Sequence, residues 1–160
     1  MPLREYIIND IEPVKIEDTI KEVQLLFSNL TYSHIPIQKD KVYLGCISEA
    51  DAHCLDSSKS INEFQFILEG FFVRRKTIWL DVLEAFAISN TNIMPILDDN
   101  NMYLGYYELS DFLSIFNETP FFSEPGGILI VEKGINDYSF SEISQIVESN
   151  NGKLYGAFVS

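Results

Sequence analysis

Hydrophobic positions in the first part of the chain change from a helical spacing to short continuous runs. Four apolar residues lie three or four positions apart: Val23, Leu26, Phe27 and Leu30. Thr19 and Glu22 precede them in the Thr-x-x-Glu order of a capping box, which predicts a helix that begins there. The apolar runs at residues 35–37 and 42–47 then predict two strands.

The same order of elements returns about sixty residues later. A second set of apolar residues at helical spacing predicts a second long helix: Ile78, Val82, Leu83, Ala85 and Phe86. Strands are predicted at residues 93–97 and 102–107, and a helix follows from Ser110. Between the two copies, Ser60 and Glu63 form another predicted capping box, which opens a short amphipathic helix that ends near Gly70.

Residues 33–51 and 92–111 carry the same motif. In each, an apolar run that contains Pro is followed by a polar turn, a Tyr-Leu-Gly tripeptide, and an Asp six residues after the Gly. Pro36 and Pro95 are 59 residues apart, and the two glycines are 60 apart, because the second turn is longer by one residue. Two copies of a unit that cannot bury its own apolar face usually pack on each other.

This motif resembles the CBS domain, and two copies in tandem resemble a CBS domain pair, or Bateman module. The resemblance covers roughly residues 1–118. It implies an α+β fold in which each repeat is β-α-β-β-α and the two repeats pack as a pseudo-twofold pair. Two clefts between such repeats can hold adenosine-containing ligands, and CBS pairs often form homodimers. We expect one repeat at residues 1–59 and the other, with the bridging helix, at residues 60–122.

The tail after residue 122 belongs to neither repeat. A Ser-Glu-Pro-Gly-Gly linker leads to an apolar run at residues 128–131, which predicts a strand; a helix capped by Ser139 and a second strand at residues 154–159 follow. This order resembles the first half of an ACT domain, so we expect residues 123–160 to form a partial ACT-like β-α-β unit in which the chain stops early. A CBS pair with an ACT-like region resembles the acetoin-utilisation AcuB-like proteins.

The charge balance limits the partners of this chain. Lys and Arg number 11 and Asp and Glu number 24, which gives a net charge of −13. The resulting field opposes approach to nucleic acid and to anionic membranes. No run approaches the ~20 apolar residues that span a bilayer, and the first residues lack the apolar stretch of a signal peptide. We therefore expect a cytoplasmic protein that binds neither nucleic acid nor membrane.

The resemblance implies roles for the Ser-x-x-Asp motif at the start of the last helix of a repeat. In the first repeat, Asp51 would accept hydrogen bonds from ribose hydroxyls, and Ser48 with the free N–H groups of the helix would face phosphate. The same two residues also fit a plain capping box that only satisfies backbone donors. In the second repeat Asp111 could hold a ribose, but Glu108 replaces the serine and would repel a phosphate by about 4 kcal/mol at ~4 Å. An empty, structural second site is the alternative.

Further residues are predicted to line the clefts because they lie within or directly before the two Pro-containing runs, or precede the second long helix: Ser33, His34, Pro36, Asn92, Pro95, Arg74 and Arg75. We expect His34 to be a hydrogen-bonded residue at the cleft edge. The two arginines belong to the only basic run, which could neutralise a phosphate or form a solvated loop that pairs with acidic neighbours.

The histidines and cysteines predict neither a catalytic nor a metal site. His34 has no Ser or Cys partner placed by spacing, and His53 has no second metal ligand at helical spacing. Two cysteines are too few for a disulfide framework, so Cys46 and Cys54 are expected to be small buried residues. Phe121 and the phenylalanine after it are expected to be an exposed anchor for a second chain or for the tail.

The sequence therefore predicts a regulatory or sensor module that is not an enzyme and requires no cofactor. Its ligand would be an adenosine nucleotide (AMP, ADP or ATP) or S-adenosylmethionine, bound between the repeats of a homodimeric CBS pair. The alternative is a structural dimerisation module with vestigial ligand sites. A third possibility, an accessory subunit of an enzyme, has the same predicted fold.

Overall fold

The computed structural model describes residues 3–117, 119–132, 134 and 137–158. The chain divides into two compact units, Met1–Phe112 and Leu113–Ser160. The larger unit contains the first predicted repeat and most of the second. The boundary falls within the last helix of the second repeat, so the smaller unit contains the end of that repeat and the tail. Across the described ranges, no helix has both the length and the apolar character needed to cross a bilayer.

The first half of the larger unit has the predicted β-α-β-β-α order. Its elements are β1 (Val14–Lys15), α1 (Ile20–Phe27), β2 (His34–Lys39), β3 (Val42–Ser48) and α2 (Glu49–Cys54). The central strand β2 is parallel to β1 and antiparallel to β3. The predicted capping box opens α1: the Thr19 hydroxyl accepts from the Glu22 N–H, and the Glu22 carboxylate accepts from the Thr19 N–H.

The second half repeats this arrangement, which confirms the tandem organisation. Its elements are β4 (Val73–Arg74), α3 (Trp79–Ser89), β5 (Ile93–Leu97), β6 (Tyr103–Glu108) and α4 (Leu109–Asn117). Strand β5 is central, parallel to β4 and antiparallel to β6. Both halves have a register irregularity at the same point of the central hairpin, after Ile37 in β2 and after Ile96 in β5.

Each half packs its helices on one face of its sheet and buries an apolar core there. In the first half, Val23 and Phe27 of α1 contact Ile35 and Ile37 of β2 in one buried cluster. The second half buries a matching cluster of residues from α3 and the β5–β6 hairpin: Val82, Phe86, Met94, Ile96 and Tyr107. The helical spacing of the sequence therefore identified the buried faces of α1 and α3. Ile78 is the exception, because it precedes α3 and is 59% exposed.

Each sheet is extended by a segment that lies outside its own repeat. Ile8, near the N-terminus, exchanges two backbone hydrogen bonds with Tyr106 of β6, at 2.9 and 2.8 Å. Glu69, from the segment between the repeats, exchanges two bonds of 2.8 Å with Cys46 of β3 in the same way. Gly105 lies directly beside the Ile8 backbone and Gly45 beside the Glu69 backbone, both with a positive φ. A glycine therefore permits each close approach.

Three local predictions need correction. The bridging helix is a 3-10 helix, Ile61–Ile67, which ends before Gly70. The Ser60 hydroxyl caps it through the Asn62 N–H, but the Glu63 carboxylate binds Lys59 Nζ at 3.0 Å and does not complete a capping box. Cys46 is buried as expected, whereas Cys54 is exposed because it lies at the outer end of the short helix α2.

The described part of the tail contains the helices α5 (Pro120–Ser123) and α6 (Phe140–Ser149). Helix α6 confirms the helix that was predicted after Ser139, although that serine makes no capping hydrogen bond with its side chain. The exposed position of the anchor pair is also confirmed, since Phe121 and Phe122 have 41% and 58% of their surfaces exposed.

The two predicted strands of the tail are wrong over the residues that the structure describes. Residues 128–131 and 154–158 have no strand conformation, and Val159 lies outside the described residues. A strand needs a neighbour that completes its hydrogen-bond ladder. Ile128, Leu129 and Ile130 are 93%, 77% and 88% exposed, so no described segment covers them. The ACT-like unit stays a prediction.

Candidate functional site

The two repeats are joined at their pseudo-twofold axis by a reciprocal pair of polar residues. Ser33 precedes β2 and Asn92 precedes β5, at matching positions of the repeat. The Ser33 N–H donates to Asn92 Oδ1 at 2.8 Å, and the Asn92 N–H donates to Ser33 Oγ at 3.2 Å. Ser33 Oγ also lies 3.0 Å from Asn92 Oδ1, within hydrogen-bond distance. The pair therefore fixes the starts of the two central strands against each other.

The same two residues set the positions of the helices that follow each hairpin. The Ser33 carbonyl accepts from the first N–H of α2, Glu49, at 3.0 Å. The Asn92 carbonyl accepts from the first N–H of α4, Leu109, also at 3.0 Å. Helices α2 and α4, which carry the repeated Asp of the motif, consequently both begin beside the Ser33–Asn92 junction, as the sequence repeat predicted.

A cleft of about 450 Å³ opens at this junction. Its polar wall contains Ser33, Thr91 and Asn92, and its apolar wall contains Leu83 and Phe86 of α3. The volume lies within the range of about 300–1,000 Å³ that is typical of small-ligand sites. An apolar wall with a few polar groups is also typical of such sites. Of the predicted site residues, Ser33 and Asn92 line this cleft.

Ser48 and Asp51 lie at the start of α2, beside the junction. The Ser48 hydroxyl donates to Asp51 Oδ2 at 2.7 Å and accepts from the Asp51 N–H at 3.1 Å. Capping by Ser48 is therefore present, as the structural alternative requires. Asp51 is half-buried, and its other oxygen, Oδ1, accepts no hydrogen bond from the described residues. That oxygen can accept from a ligand hydroxyl.

In the second repeat, the position of Ser48 is taken by a carboxylate that already has partners. Glu108 accepts a very short hydrogen bond from the Tyr32 hydroxyl and a second one from Ser110 Oγ at 3.1 Å. The Tyr32 hydroxyl also contacts the Tyr106 hydroxyl at 2.9 Å, and Tyr106 donates to Asp10 Oδ1 at 2.7 Å. The two sites of the pair are therefore chemically different. Asp111 lies in the first turn of α4, next to this group.

Sequence reasoning missed the tyrosines of this group. Tyr32 directly precedes the motif residue Ser33, and Tyr106 stands where the first repeat has Cys46, so only the spacing of the repeat pointed to them. Burial and the Glu108 carboxylate raise the pKa of Tyr32 to about 12, and burial also raises the pKa of Tyr106. Both phenols therefore stay protonated at neutral pH and donate to carboxylates.

These tyrosines predict a loss of stability in alkali. A raised folded-state pKa for Tyr32 means that the unfolded chain, with its usual pKa of 10.0, loses the phenol proton first. The contribution to stability is complete below pH 10 and is lost as pH rises towards 12. We expect the urea midpoint to fall above about pH 10 and to fall less steeply in Tyr32→Phe. The fluorescence of Trp79, the single tryptophan, reports the unfolding of the larger unit.

Tyr138→Phe is the control for this measurement, since that phenol lies in the tail and has 37% of its surface exposed. Its midpoint should follow the wild-type pH profile. An equal alkaline slope in Tyr32→Phe and wild type would contradict the role of Tyr32.

His34 is buried at the start of β2, with 6% of its surface exposed. Its Nδ1 lies 2.8 Å from Ser33 Oγ and its Nε2 lies 3.1 Å from Glu69 Oε1. The Phe71 ring packs edge-on against the imidazole at 5.1 Å. The prediction of a hydrogen-bonded histidine is confirmed, but its partner Glu69 was missed because it lies 35 residues away in the sequence.

The remaining predicted residues have structural partners. Pro36 and Pro95 are buried within the central strands, opposite Cys46 and Tyr106. Arg74, in β4, donates from Nη1 to the Asp98 carbonyl and from Nη2 to Asn101 Oδ1 at 2.6 Å, and stacks on the Phe72 ring at 4.9 Å. Its guanidinium therefore holds the β5–β6 turn. This contact corresponds to neither expected role of the basic run.

Arg75 is exposed. Burial raises the pKa of Tyr107, and the charge of Arg75 reduces this rise without cancelling it. His53 is half-exposed and lies 3.8 Å from Glu49. In the described part of the chain, no three His, Cys, Asp or Glu side chains are grouped closely enough to hold a metal ion.

The two matching sheets and the β-α-β-β-α order of each half give this chain the fold of a tandem CBS domain pair. A similar structure is that of a CBS domain pair/ACT domain protein from Thermotoga maritima, with a TM-score of 0.65 and 19% identity over 74% of this chain and 98% of that chain. The likeness at this identity shows the fold alone.

Two similar structures contain adenine nucleotides. CBSX2 in complex with AMP matches with a TM-score of 0.59 and 14% identity over 70% of this chain and 93% of that chain. The cytosolic domain of the Mg2+ channel MgtE in complex with ATP matches with a TM-score of 0.59 and 19% identity over 69% and 46% of the two chains. No family model matches the sequence, and no curated protein matches it significantly.

Proposed function

We propose that this protein is a non-catalytic regulatory module that binds an adenosine-containing ligand at the junction of its two CBS-type repeats. The observation that carries the proposal is the cleft of about 450 Å³, with a wall of Ser33, Thr91 and Asn92 at the pseudo-twofold axis of a CBS-pair fold. The nucleotide complexes of CBSX2 and MgtE support it, because they have the same fold.

The ligand would extend from this cleft towards the start of α2. The apolar wall formed by Leu83 and Phe86 suits a purine ring, and Asn92 and Ser33 can hydrogen-bond to its edge. Asp51 Oδ1 would accept from a ribose hydroxyl, in the role that the family resemblance implies. The second repeat would not hold a phosphate, because Glu108 places a carboxylate there.

A thermal-shift panel with AMP, ADP, ATP and S-adenosylmethionine tests this function, with GMP as the control for the base. A ligand at about 100 times its dissociation constant stabilises the folded state by roughly 2.7 kcal/mol. We expect at least one adenosine ligand to raise the melting temperature, and calorimetry to give saturable binding. The absence of a shift with all four would refute ligand binding.

The alternative function is a structural dimerisation module, and two observations favour it. Ser48 and Asp51 are hydrogen-bonded to each other at the start of α2, and the Tyr32 hydroxyl donates to Glu108. The motif residues of both repeats therefore already have hydrogen-bond partners within the protein. We further propose a homodimer, since exposed apolar side chains project from α3: Leu80 and Ile88 are 53% and 77% exposed. A stable dimer by light scattering, without any ligand effect, would favour this alternative.

A further inference from the structure

The buried histidine of the first repeat has no counterpart in the second. At the position of His34 the second repeat has Ile93, which is fully buried. At the position of Glu69 it has Ile8, which makes the same two backbone bonds to the neighbouring strand. Apolar residues therefore satisfy the fold at both positions. A buried imidazole needs hydrogen-bond partners. His34 has one at each ring nitrogen, and the isoleucine of the second repeat has no side-chain group that could make such bonds.

His34 connects the charged residue Glu69 to the polar wall of the cleft. Glu69 Oε1 lies 3.1 Å from Nε2, and Ser33 Oγ lies 2.8 Å from Nδ1. Ser33 Oγ in turn lies 3.0 Å from Asn92 Oδ1 and 3.2 Å from Thr91 Oγ1. A change of protonation at His34 therefore reaches the cleft through a single hydroxyl group.

When His34 is neutral, Glu69 determines which nitrogen carries the proton. An ionised carboxylate only accepts, so Nε2 holds the proton and donates it to Glu69. Nδ1 is then an acceptor, and the Ser33 hydroxyl donates to it. Asn92 Oδ1 receives only the Ser33 N–H, at 2.8 Å, and keeps one lone pair for a ligand.

When His34 is protonated, both of its nitrogens donate. Nδ1–H then donates to Ser33 Oγ, so the Ser33 hydroxyl must turn to another acceptor. Two acceptors are in reach, Asn92 Oδ1 at 3.0 Å and Thr91 Oγ1 at 3.2 Å. Thr91 Oγ1 already accepts from the Ile93 N–H, so the nearer Asn92 Oδ1 takes the bond. It then receives two hydrogen bonds from Ser33 and has no lone pair left for a ligand in the cleft.

Other titratable groups near the imidazole stay uncharged at neutral pH. Cys46 and Tyr43, on β3, lie beside Glu69; burial raises the pKa of the Cys46 thiol to about 12 and also raises the pKa of Tyr43. Ser48, opposite His34 in the strand register, and the cleft residues Ser33, Thr91 and Asn92 do not titrate. Glu69 is thus the charged group in contact with His34, and 45% of its side chain is exposed.

We propose that protonation of His34 weakens ligand binding in the cleft by turning the Ser33 hydroxyl from His34 to Asn92. Glu69 is a positioning residue, which selects the tautomer of His34 that leaves Asn92 open. The ligand part of this inference rests on the proposed function, whereas the tautomer part does not. Ligands that donate to Asn92 bind more tightly when His34 is neutral.

The tautomer is measured without any ligand by 15N NMR of the two histidines. The variant His53→Gln assigns the signals, because the chain has only two histidines. We expect His34 to carry its proton on Nε2 at about pH 8, and the Nδ1–H form to gain population in Glu69→Gln, since an amide can also donate. A wild-type His34 with its proton on Nδ1 would overturn the inference, and so would an unchanged tautomer in Glu69→Gln.

Adenosine is the probe for the binding part, because it carries no charge that could respond to His34 directly. We expect its affinity to be about threefold to tenfold weaker at about pH 6 than at about pH 8, the effect of one hydrogen bond. His34→Ile reproduces the second repeat and should bind with the weaker, pH-independent affinity. His53→Gln should keep the wild-type pH profile, since His53 lies half-exposed at the far end of α2.

The outcomes separate the two proposals. If no adenosine ligand binds at either pH value, the proposed function is refuted, and the pH-dependent binding is refuted with it. The tautomer measurement then still tests the hydrogen bonds of His34. Binding that is equally strong at both pH values refutes the switch and leaves the proposed function intact. If the His34→Ile variant shows the same pH dependence of binding as the wild type, the switch is also refuted.

Discussion

Replacement of Gly105 by alanine should destabilise the larger unit more than any other single methyl group added at a glycine of its sheets. The added Cβ would lie 2.4 Å from the Ile8 carbonyl oxygen and 2.9 Å from the Ile7 side chain. The φ of +140° at this position is also one that L-residues rarely adopt. Backbone strain and overpacking each cost about 1–3 kcal/mol, so we expect a loss of about 3 kcal/mol in the free energy of unfolding.

Urea unfolding of the full chain, followed by Trp79 fluorescence, measures this loss. Gly70→Ala is the matched control, because a Cβ there meets no atom within 4 Å and it should change stability little. Gly45→Ala should have an intermediate effect, since its Cβ would lie 2.9 Å from the Glu69 carbonyl. Equal stability of the Gly105 and Gly70 variants would contradict the pairing of the N-terminal segment with β6.

Replacement of Asp51 by alanine should weaken the binding of an adenosine ligand at least tenfold. Hydrogen bonds to a charged group contribute about 1.5–3 kcal/mol, and the variant removes the carboxylate oxygen that would accept from the ribose. The loss of stability should be smaller, about 1 kcal/mol, because Ser48 can still accept from the backbone N–H of residue 51. Calorimetry with AMP measures the affinity, and the melting temperature without ligand measures the stability.

Asp56→Ala is the control for charge. Asp56 is exposed, and among the described residues its carboxylate accepts only from Ser58 in its own turn. This variant should retain the wild-type affinity for AMP. If Asp51→Ala lost stability and kept full affinity, Asp51 would act only as part of the α2 cap, as the structural alternative holds.

The sequence was informative where local physics decides the structure. The capping box at Thr19 and the apolar spacing that follows it predicted α1, because both operate within a few residues of the chain. The repeated Pro-Gly-Asp motif predicted two matching hairpins, and the structure contains them at residues 34–48 and 93–108. The α+β order of the pair is thus a consequence of patterns that are visible in the sequence.

Patterns were insufficient where a strand depends on a partner. The apolar run at residues 128–131 has strand character, but the described residues offer it no hydrogen-bonding neighbour. The sequence predicted no strand around Ile8 or Glu69, but both segments pair with a strand because the fold brings a sheet edge to them. Composition alone does not reveal that difference.

By itself, the sequence determined the order of helices and strands in the two repeats, the tandem organisation, most of the apolar faces of α1 and α3, and the strongly acidic character of the chain. Each of these depends on residue types at short separation. Only the tertiary structure determined three hydrogen-bonded pairs: Ser33 with Asn92, Tyr32 with Glu108, and His34 with Glu69. These contacts join residues 35 to 76 positions apart, and side chains at such separations meet only when the folded chain brings their segments together.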